Sequence, residues 1–274
     1  MDISELIRKE GLRRGLSPRT IKTYRHCVHS FFRKCHNDVN KITKADIHTF
    51  LDELIEKGAA GNTINVYLNA LKFFYEEILH KRLTIRIHYS KTPKTLPVVL
   101  TKEETKQLIS VISNTKHRLM VQLLYSAGLR VSELVKLKVT DLDIKNKYGW
   151  VRKGKGNKDR LFIIADTIKD ELERTIKQSN YGWLFKGQKE GTHLSTRSIQ
   201  QIIKRAAKQA NISKGVHPHT LRHSFATHLI ENGSDVVQVQ SLLGHASPET
   251  SMIYVHTARP KMINVTSPLD VIIA

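Results

Sequence analysis

Residues 217–254 read HPHTLRHSFATHLIENGSDVVQVQSLLGHASPETSMIY, and the rest of the chain is read outward from them. The stretch divides into three short helical segments. His219 and Arg222 lie one helical turn apart in HTLRH, because three residues advance a helix by nearly a full turn. Gly244 reads as a helix stop, His245 follows it, and Ser247-Pro248 supplies the cap and first residue of the next helix. Tyr254 falls about two turns into that helix, and Arg259-Pro260 breaks it. One phenolic hydroxyl is thus accompanied by several donors able to surround a phosphate. That combination makes chemical sense against a DNA backbone.

Composition points the same way. Among 274 residues, 45 Lys and Arg face 25 Asp and Glu, a formal net charge of +20. A chain this basic is suited to a polyanion. The excess is spread along it: residues 1–92 carry 17 basic and 10 acidic side chains, and the remainder 28 and 15. An anionic membrane surface or a ribosomal partner would also suit the charge, so the motifs must decide. The two cysteines, Cys27 and Cys35, fall in one expected helix, about 12 Å apart along its axis. That is too far to bridge, so reduced thiols of a cytoplasmic protein are expected. The N-terminus lacks the apolar run of a signal peptide, and no stretch has the length of a membrane span.

Residues 1–90 read as helices. Ile3 to Arg14 forms the first; Ser17-Pro18 opens the second, with Ile21, Tyr24, Val28, Phe31 and Phe32 as its apolar stripe. Thr43 caps a third, in which Ile47, Phe50, Leu51 and Leu54 face inward and which Gly58 ends. Asn62 starts a fourth with Ile64, Leu68, Leu71, Phe74 and Leu79. The aromatics read as core. The opposite faces carry Arg13, Arg14, Arg19, Lys22, Arg25, Lys41, Lys44, Asn62, Asn65, Asn69 and Lys72, of which Arg19, Lys22, Arg25, Lys44, Asn62, Asn65 and Lys72 are the candidate DNA contacts. A helical bundle with basic faces can lie across a DNA groove. HYSKTPKTLPV at 88–98 has no periodicity and reads as a linker. At about 3.3 Å per residue it spans some 35 Å, enough for domains on opposite faces of a duplex.

Thr101 and Glu104 then form a capping box. A helix over 117–126 ends at Gly128, and Leu129-Arg130-Val131-Ser132-Glu133-Leu134 opens a short one. From Val139 to Ile164 the period changes to two, giving three short antiparallel strands at 142–144, 148–151 and 160–164. Lys153-Gly154-Lys155-Gly156-Asn157-Lys158 forms the tip between the last two. Helices return over 168–178 and 196–210. The fold class is therefore mainly α with a small antiparallel β-sheet, in two domains: a helical bundle over 1–87, the linker at 88–98, an α+β domain over 99–258 and a tail at 259–274.

Gly128-Leu129-Arg130-Val131-Ser132-Glu133-Leu134, Gly154-Lys155-Gly156-Asn157-Lys158-Asp159-Arg160, His219-Thr220-Leu221-Arg222-His223, Leu243-Gly244-His245 and Tyr254 together resemble the tyrosine recombinases of the phage integrase family. The compact length is similar to the Xer-type branch. Ser17-Pro18-Arg19-Thr20 with Tyr24, and Leu71-Lys72-Phe73-Phe74-Tyr75, resemble that family's SAM-like core-binding domain. The motifs cover the chain from end to end, and their order makes the match specific.

The resemblance implies a chemistry. A tyrosine nucleophile gives a phosphotyrosyl bond that a DNA 5′-hydroxyl can attack and reseal without an energy source. Tyr254 would be the nucleophile. Arg130 and Arg222 would hold the non-bridging oxygens, where rigid guanidinium forks meet developing charge. Lys155 would protonate the leaving 5′-oxygen, His219 would accept the tyrosine proton or bind the phosphate, and His245 would donate to a phosphate oxygen. Lys158 and Arg160 join the candidate DNA contacts. No cofactor and no metal are implied: His219 and His223 stand four apart, but neither an HExxH pattern nor a nearby cysteine accompanies them. Singly, each residue has a plainer reading: Tyr254 in the core, Arg130 in a surface ion pair with Glu133, Lys155 solvated on a turn. With His219 and His223 as metal ligands and His245 as a capping or core residue, those readings jointly require five coincidences.

The implied partner is double-stranded DNA with a specific recombination site. Four copies would act on two sites, starting from monomers or dimers, and an accessory or activating protein would be possible. The implied duty is resolving chromosome dimers. The alternatives are an integrase of a mobile element, a catalytically silent DNA-binding protein of the same fold, and a type IB topoisomerase. The family's C-terminal tail packs on a neighbouring subunit; here Pro260 and Pro268 shorten it, so docking in trans and folding back on its own domain both stay open.

Overall fold

The computed structural model describes residues 2–35, 38–81, 96–152, 154, 159–179 and 182–244. The chain divides into two compact units, Met1–Lys94 and Thr95–Ala274. Of the segment expected as a linker, only 96–98 is described.

The first unit is helical. Helix α1 spans Ile3–Arg13, α2 Pro18–Lys34, α3 Lys44–Glu56 and α4 Gly61–Lys72. Their starts follow the expected chemistry. Ser17 accepts from the Thr20 N–H with Pro18 at the first helical position, and Thr43 and Asp46 satisfy each other's backbone donors in a capping box. Gly58, at φ +75°, follows the last turn of α3. Ile7, Val28, Phe31, Ile47, Leu68, Leu71 and Phe74 are buried among these helices. The aromatic rings meet edge to face, Phe31 against Phe50 at 5.1 Å and Phe32 against Phe74 at 5.7 Å. Gly11 lets α1 approach α2 closely, since a Cβ there would stand 2.7 Å from Ile21.

The fourth helix departs from its expected form. Past Lys72 the chain widens into a π-helical stretch, Phe73–Ile78, and the Leu79 N–H reaches the Phe74 carbonyl five residues back. Regular α-helical turns cannot turn Phe73, Phe74 and Tyr75 inward together, because three successive residues sweep about 200°. The wider turn buries all three.

In the second unit, α5 spans Lys102–Ser110, α6 Thr115–Ser126, α7 Val131–Val135, α8 Lys169–Ser179, α9 Thr196–Gln209, α10 Pro218–Glu231 and α11 Val236–Leu243. Strands β1 Leu142–Asp143, β2 Tyr148–Val151 and β3 Arg160–Ile163 form an antiparallel sheet in that order. Leu142 pairs with Gly149, and Trp150 with Leu161. Gly149, Val151 and Phe162 face the core, while Leu161 and Ile163 are exposed.

Helix α10 is the centre of this unit. Pro218, Thr220, Leu221, Arg222, Ser224, Phe225, Ala226, Thr227 and His228 are all buried, so it is enclosed on most sides rather than by one stripe. One of its buried polar groups is doubly bonded: the Ser224 hydroxyl accepts from the Leu100 N–H at 2.9 Å and donates to the Thr220 carbonyl at 2.9 Å. This pins the extended entry of the unit against α10. Cys27 and Cys35 are free thiols, and burial raises the Cys27 pKa to about 11.

Candidate active site

Two turns of the chain build the first half of the site. Helix α6 stops at Gly128, whose φ of +57° turns the chain sharply. Arg130 then caps α7, with Glu133 in its first turn. The Arg130 N–H donates to Glu133 Oε2 at 2.8 Å and Nη1 donates to Oε1 at 2.7 Å. The pair is not on the open surface: the Arg130 side chain is 19% exposed and that of Glu133 6%. The plainer reading of a surface ion pair therefore fails on location, although the ion pair itself is present.

Helix α10 supplies the second half. Arg222, in its second turn, is 2% exposed. Its Nη1 donates to the Gly128 carbonyl at 2.5 Å and its Nη2 to the Leu243 carbonyl at 2.6 Å. Both acceptors are neutral, so they orient the guanidinium without cancelling its charge. The fork ties α10 to the Gly128 turn and to the last turn of α11, whose free carbonyls favour a cation. Three histidines share the start of α10. His217 caps it through Nδ1, the His217 and His219 rings lie 6.3 Å apart, and those of His219 and His223 6.4 Å apart. Partial burial, then the charges of His217, Arg222 and Arg130, lower the His219 pKa. His219 is therefore neutral at physiological pH and has a ring nitrogen able to accept a proton. Burial, then the charges of His219, Arg222 and His217, push His223 down to about 4.

A third guanidinium completes the cluster. Arg160, at the start of β3, donates from Nη2 to Glu133 Oε2 at 2.6 Å and from Nη1 to the Leu242 carbonyl at 2.6 Å. Its side chain is 9% exposed. Burial works against the Glu133 charge, but Arg160 and the Arg130 hydrogen bonds outweigh it and lower the carboxyl pKa. Gly244 ends α11 at φ +61°, and a Cβ there would stand 2.6 Å from Arg160 Cδ. The structure thus brings Arg130, His219 and Arg222 into one basic cluster and adds Glu133 and Arg160.

Lys155, Lys158, His245 and Tyr254 lie outside the described residues. The described chain resumes at Asp159 and Arg160 after Lys155 and Lys158, and runs as far as Gly244, against which Arg160 packs, just before His245. Arg160 was expected to meet DNA, but its guanidinium turns inward, because Glu133 and Leu242 offer it two acceptors beneath the surface. Glu133 could have been found from sequence as the Glu three residues after a helix cap; nothing in the sequence marks Arg160's partners.

The other candidate contacts lie on the first unit. Arg19, Lys22 and Arg25 are exposed along α2, Lys44 is exposed at the start of α3, and on α4 Asn62 is exposed while Asn65 and Lys72 are half-buried. Asn62, Asn65, Asn69 and Lys72 share one stripe by helical spacing. Among the described residues, no group of three His, Cys, Asp or Glu is placed to hold a metal, and no helix is long and apolar enough to cross a membrane.

Known proteins are similar to this chain along most of its length. The profile of the phage integrase family matches residues 98–260, and that of the phage integrase N-terminal SAM-like domain matches residues 5–85. The tyrosine recombinase XerD of Oceanobacillus iheyensis is 34% identical over 274 residues, covering 92% of each chain. The tyrosine recombinase XerA of Pyrococcus furiosus is 40% identical over 247 residues, covering 88% of this chain and 84% of its own. A crystal structure of the XerH site-specific recombinase bound to palindromic difH substrate, a post-cleavage complex, superimposes with a TM-score of 0.74 at 25% identity, over 98% of this chain and 85% of that one. With catalytic and SAM-like regions both matched, and with relatives this similar along nearly all of its length, the chain belongs to the phage integrase family and is a tyrosine recombinase, an enzyme that cuts and rejoins DNA through a covalent tyrosine intermediate.

Proposed function

We propose that Tyr254 is the nucleophile and that Arg130, Lys155, His219, Arg222 and His245 form the catalytic set around the scissile phosphate. The observation that carries this reading is the convergence of Arg130 with His219 and Arg222, which follow it by 89 and 92 residues in sequence, on one basic cluster. Tyr254 Oη attacks phosphorus, the P–O5′ bond breaks, and a 3′-phosphotyrosyl bond forms. The phenolic proton passes to neutral His219 and the 5′-oxygen takes a proton from Lys155. Arg130, Arg222 and His245 meet the charge that gathers on the non-bridging oxygens. Rejoining runs the same steps in reverse, with a 5′-hydroxyl as attacker. In the first unit, Arg19, Lys22, Arg25, Lys44, Asn62, Asn65 and Lys72 contact DNA, and Lys158 does so from the second.

The biological duty follows as resolution of chromosome dimers by four copies on two DNA sites, in the cytoplasm, with or without an activating protein. The near full-length match to Xer-named relatives supports it. A nicked duplex that traps the covalent adduct, incubated in EDTA buffer and run on a denaturing gel, tests the chemistry. Wild type should form an adduct and Tyr254→Phe none; an adduct that persists in the variant removes Tyr254 from the role. Mapping adducts across the genome in living cells tests the duty. A single chromosomal site where replication ends supports dimer resolution, and adducts at the ends of a mobile element support integration instead.

A further inference from the structure

We infer that Arg160 is a positioning residue for strand cleavage, acting through Glu133 on Arg130 and through Leu242 on the last turn of α11. The inference rests on the active-site reading above. Its starting point is a buried cation that stability alone explains poorly. The Arg160–Glu133 pair is nearly sealed from solvent, with side chains 9% and 6% exposed. Buried ion pairs commonly contribute little against apolar residues of the same volume. Moreover, Arg160 Nε is buried with no hydrogen-bond partner, which costs free energy rather than supplying it.

The geometry explains what the pair achieves. Glu133 divides its carboxylate: Oε1 takes Arg130 Nη1, while Oε2 takes the Arg130 N–H and Arg160 Nη2. One carboxylate therefore faces two guanidiniums. With Arg160 in place, the Glu133 charge is balanced by a cation that reaches no substrate, and Arg130 keeps its own charge for a phosphate. Without Arg160, Glu133 and Arg130 would neutralise each other. The other terminal nitrogen of Arg160 holds the Leu242 carbonyl, and its stem packs against Gly244. A single side chain therefore sets β3, the Arg130 turn and the end of α11 relative to one another.

The test uses the full-length protein and a nicked duplex carrying whatever site the wild-type protein enriches from a random pool. Arg160→Met should slow adduct formation by about 10²-fold, the order expected when a catalytic group is displaced by about an ångström. Affinity for the same duplex without the nick, and the salt dependence of that affinity, should stay unchanged. Arg160→Lys, which keeps charge and most of the volume but not the fork, should be intermediate. It also keeps the inference testable if the methionine variant does not fold. In a Glu133→Gln background, Arg160→Met should cost at least tenfold less than in wild type, because the two substitutions strike one interaction. A full additive loss overturns the inference, as does wild-type cleavage by folded Arg160→Lys. A salt slope reduced by about 0.9 would make Arg160 a phosphate contact instead. If wild-type cleavage proves independent of Tyr254, the active-site reading fails first, and the Arg160 variants do not bear on that outcome.

Discussion

Arg222 shows how a buried cation can be preorganised. Its guanidinium is enclosed and gripped by the Gly128 and Leu243 carbonyls, so its orientation is fixed before any phosphate arrives. Preorganisation of this kind is the largest single source of rate in many enzymes, because no reorientation is needed as charge develops. Arg222→Ala should therefore slow single-turnover cleavage by about 10²–10³-fold while altering DNA affinity much less. Equal losses in both would reduce it to a backbone contact. His223 gives a second prediction at this scale. Its folded pKa, about 4, lies below the ordinary histidine value of about 6.5, so the unfolded chain binds more protons between those values. Stability contributed by neutral His223 is thus complete above pH 6.5 and is lost as pH falls toward 4, at no more than about 1.4 kcal/mol per pH unit and less after solvent screening. Urea melts between pH 7 and 5 should show this slope, to which the lowered His219 adds with the same sign, and His223→Asn should reduce it.

At the scale of elements, the turn between α6 and α7 is the most constrained piece of the site. Gly128 combines a left-handed backbone with contact to α10 and α11: a Cβ would stand 2.4 Å from Phe225 Cδ1 and 3.0 Å from Leu243 Cδ2. Gly128→Ala therefore incurs both backbone strain and overpacking, together about 2–4 kcal/mol. The same turn presents the carbonyl that Arg222 grips, so cleavage per folded molecule should fall as well. Urea melts and adduct yield measured on one preparation check both parts, and a variant as stable as wild type would contradict the steric argument. Most element boundaries were legible in sequence because caps, glycines and prolines act locally: Ser17-Pro18, the Thr43 and Thr101 boxes and the Gly58, Gly128 and Gly244 stops all appear where local chemistry puts them. The π-helical stretch after Lys72 was not legible. Three aromatics in a row admit any face until the surrounding core selects one.

For the whole molecule, net charge governs association. With a surplus of 20 positive charges, binding to duplex DNA should weaken linearly on a log–log plot against salt, at about −0.9 per phosphate neutralised. Arg19, Lys22 and Arg25 are exposed along one helix; if each meets a phosphate, replacing all three with alanine should reduce the slope by about 2.7. Fluorescence anisotropy on a labelled duplex from 50 to 200 mM salt measures this directly. An unchanged slope would remove the α2 face from the DNA interface.

Sequence alone determined the helical bundle, the three-stranded sheet and the family, and the resemblance to that family implied a grouping of Arg130, His219 and Arg222. It could do so because periodicity, capping and motif order are properties of neighbours along the chain. Only the tertiary structure decided which way the cations turn. Arg160 looked like a DNA contact when its neighbours were Asp159 and Leu161. Folded, it lies between Glu133, 27 residues back, and Leu242, 82 residues on. A guanidinium goes to the acceptors it can reach in space, and those acceptors are assembled only when β3, α7 and α11 meet.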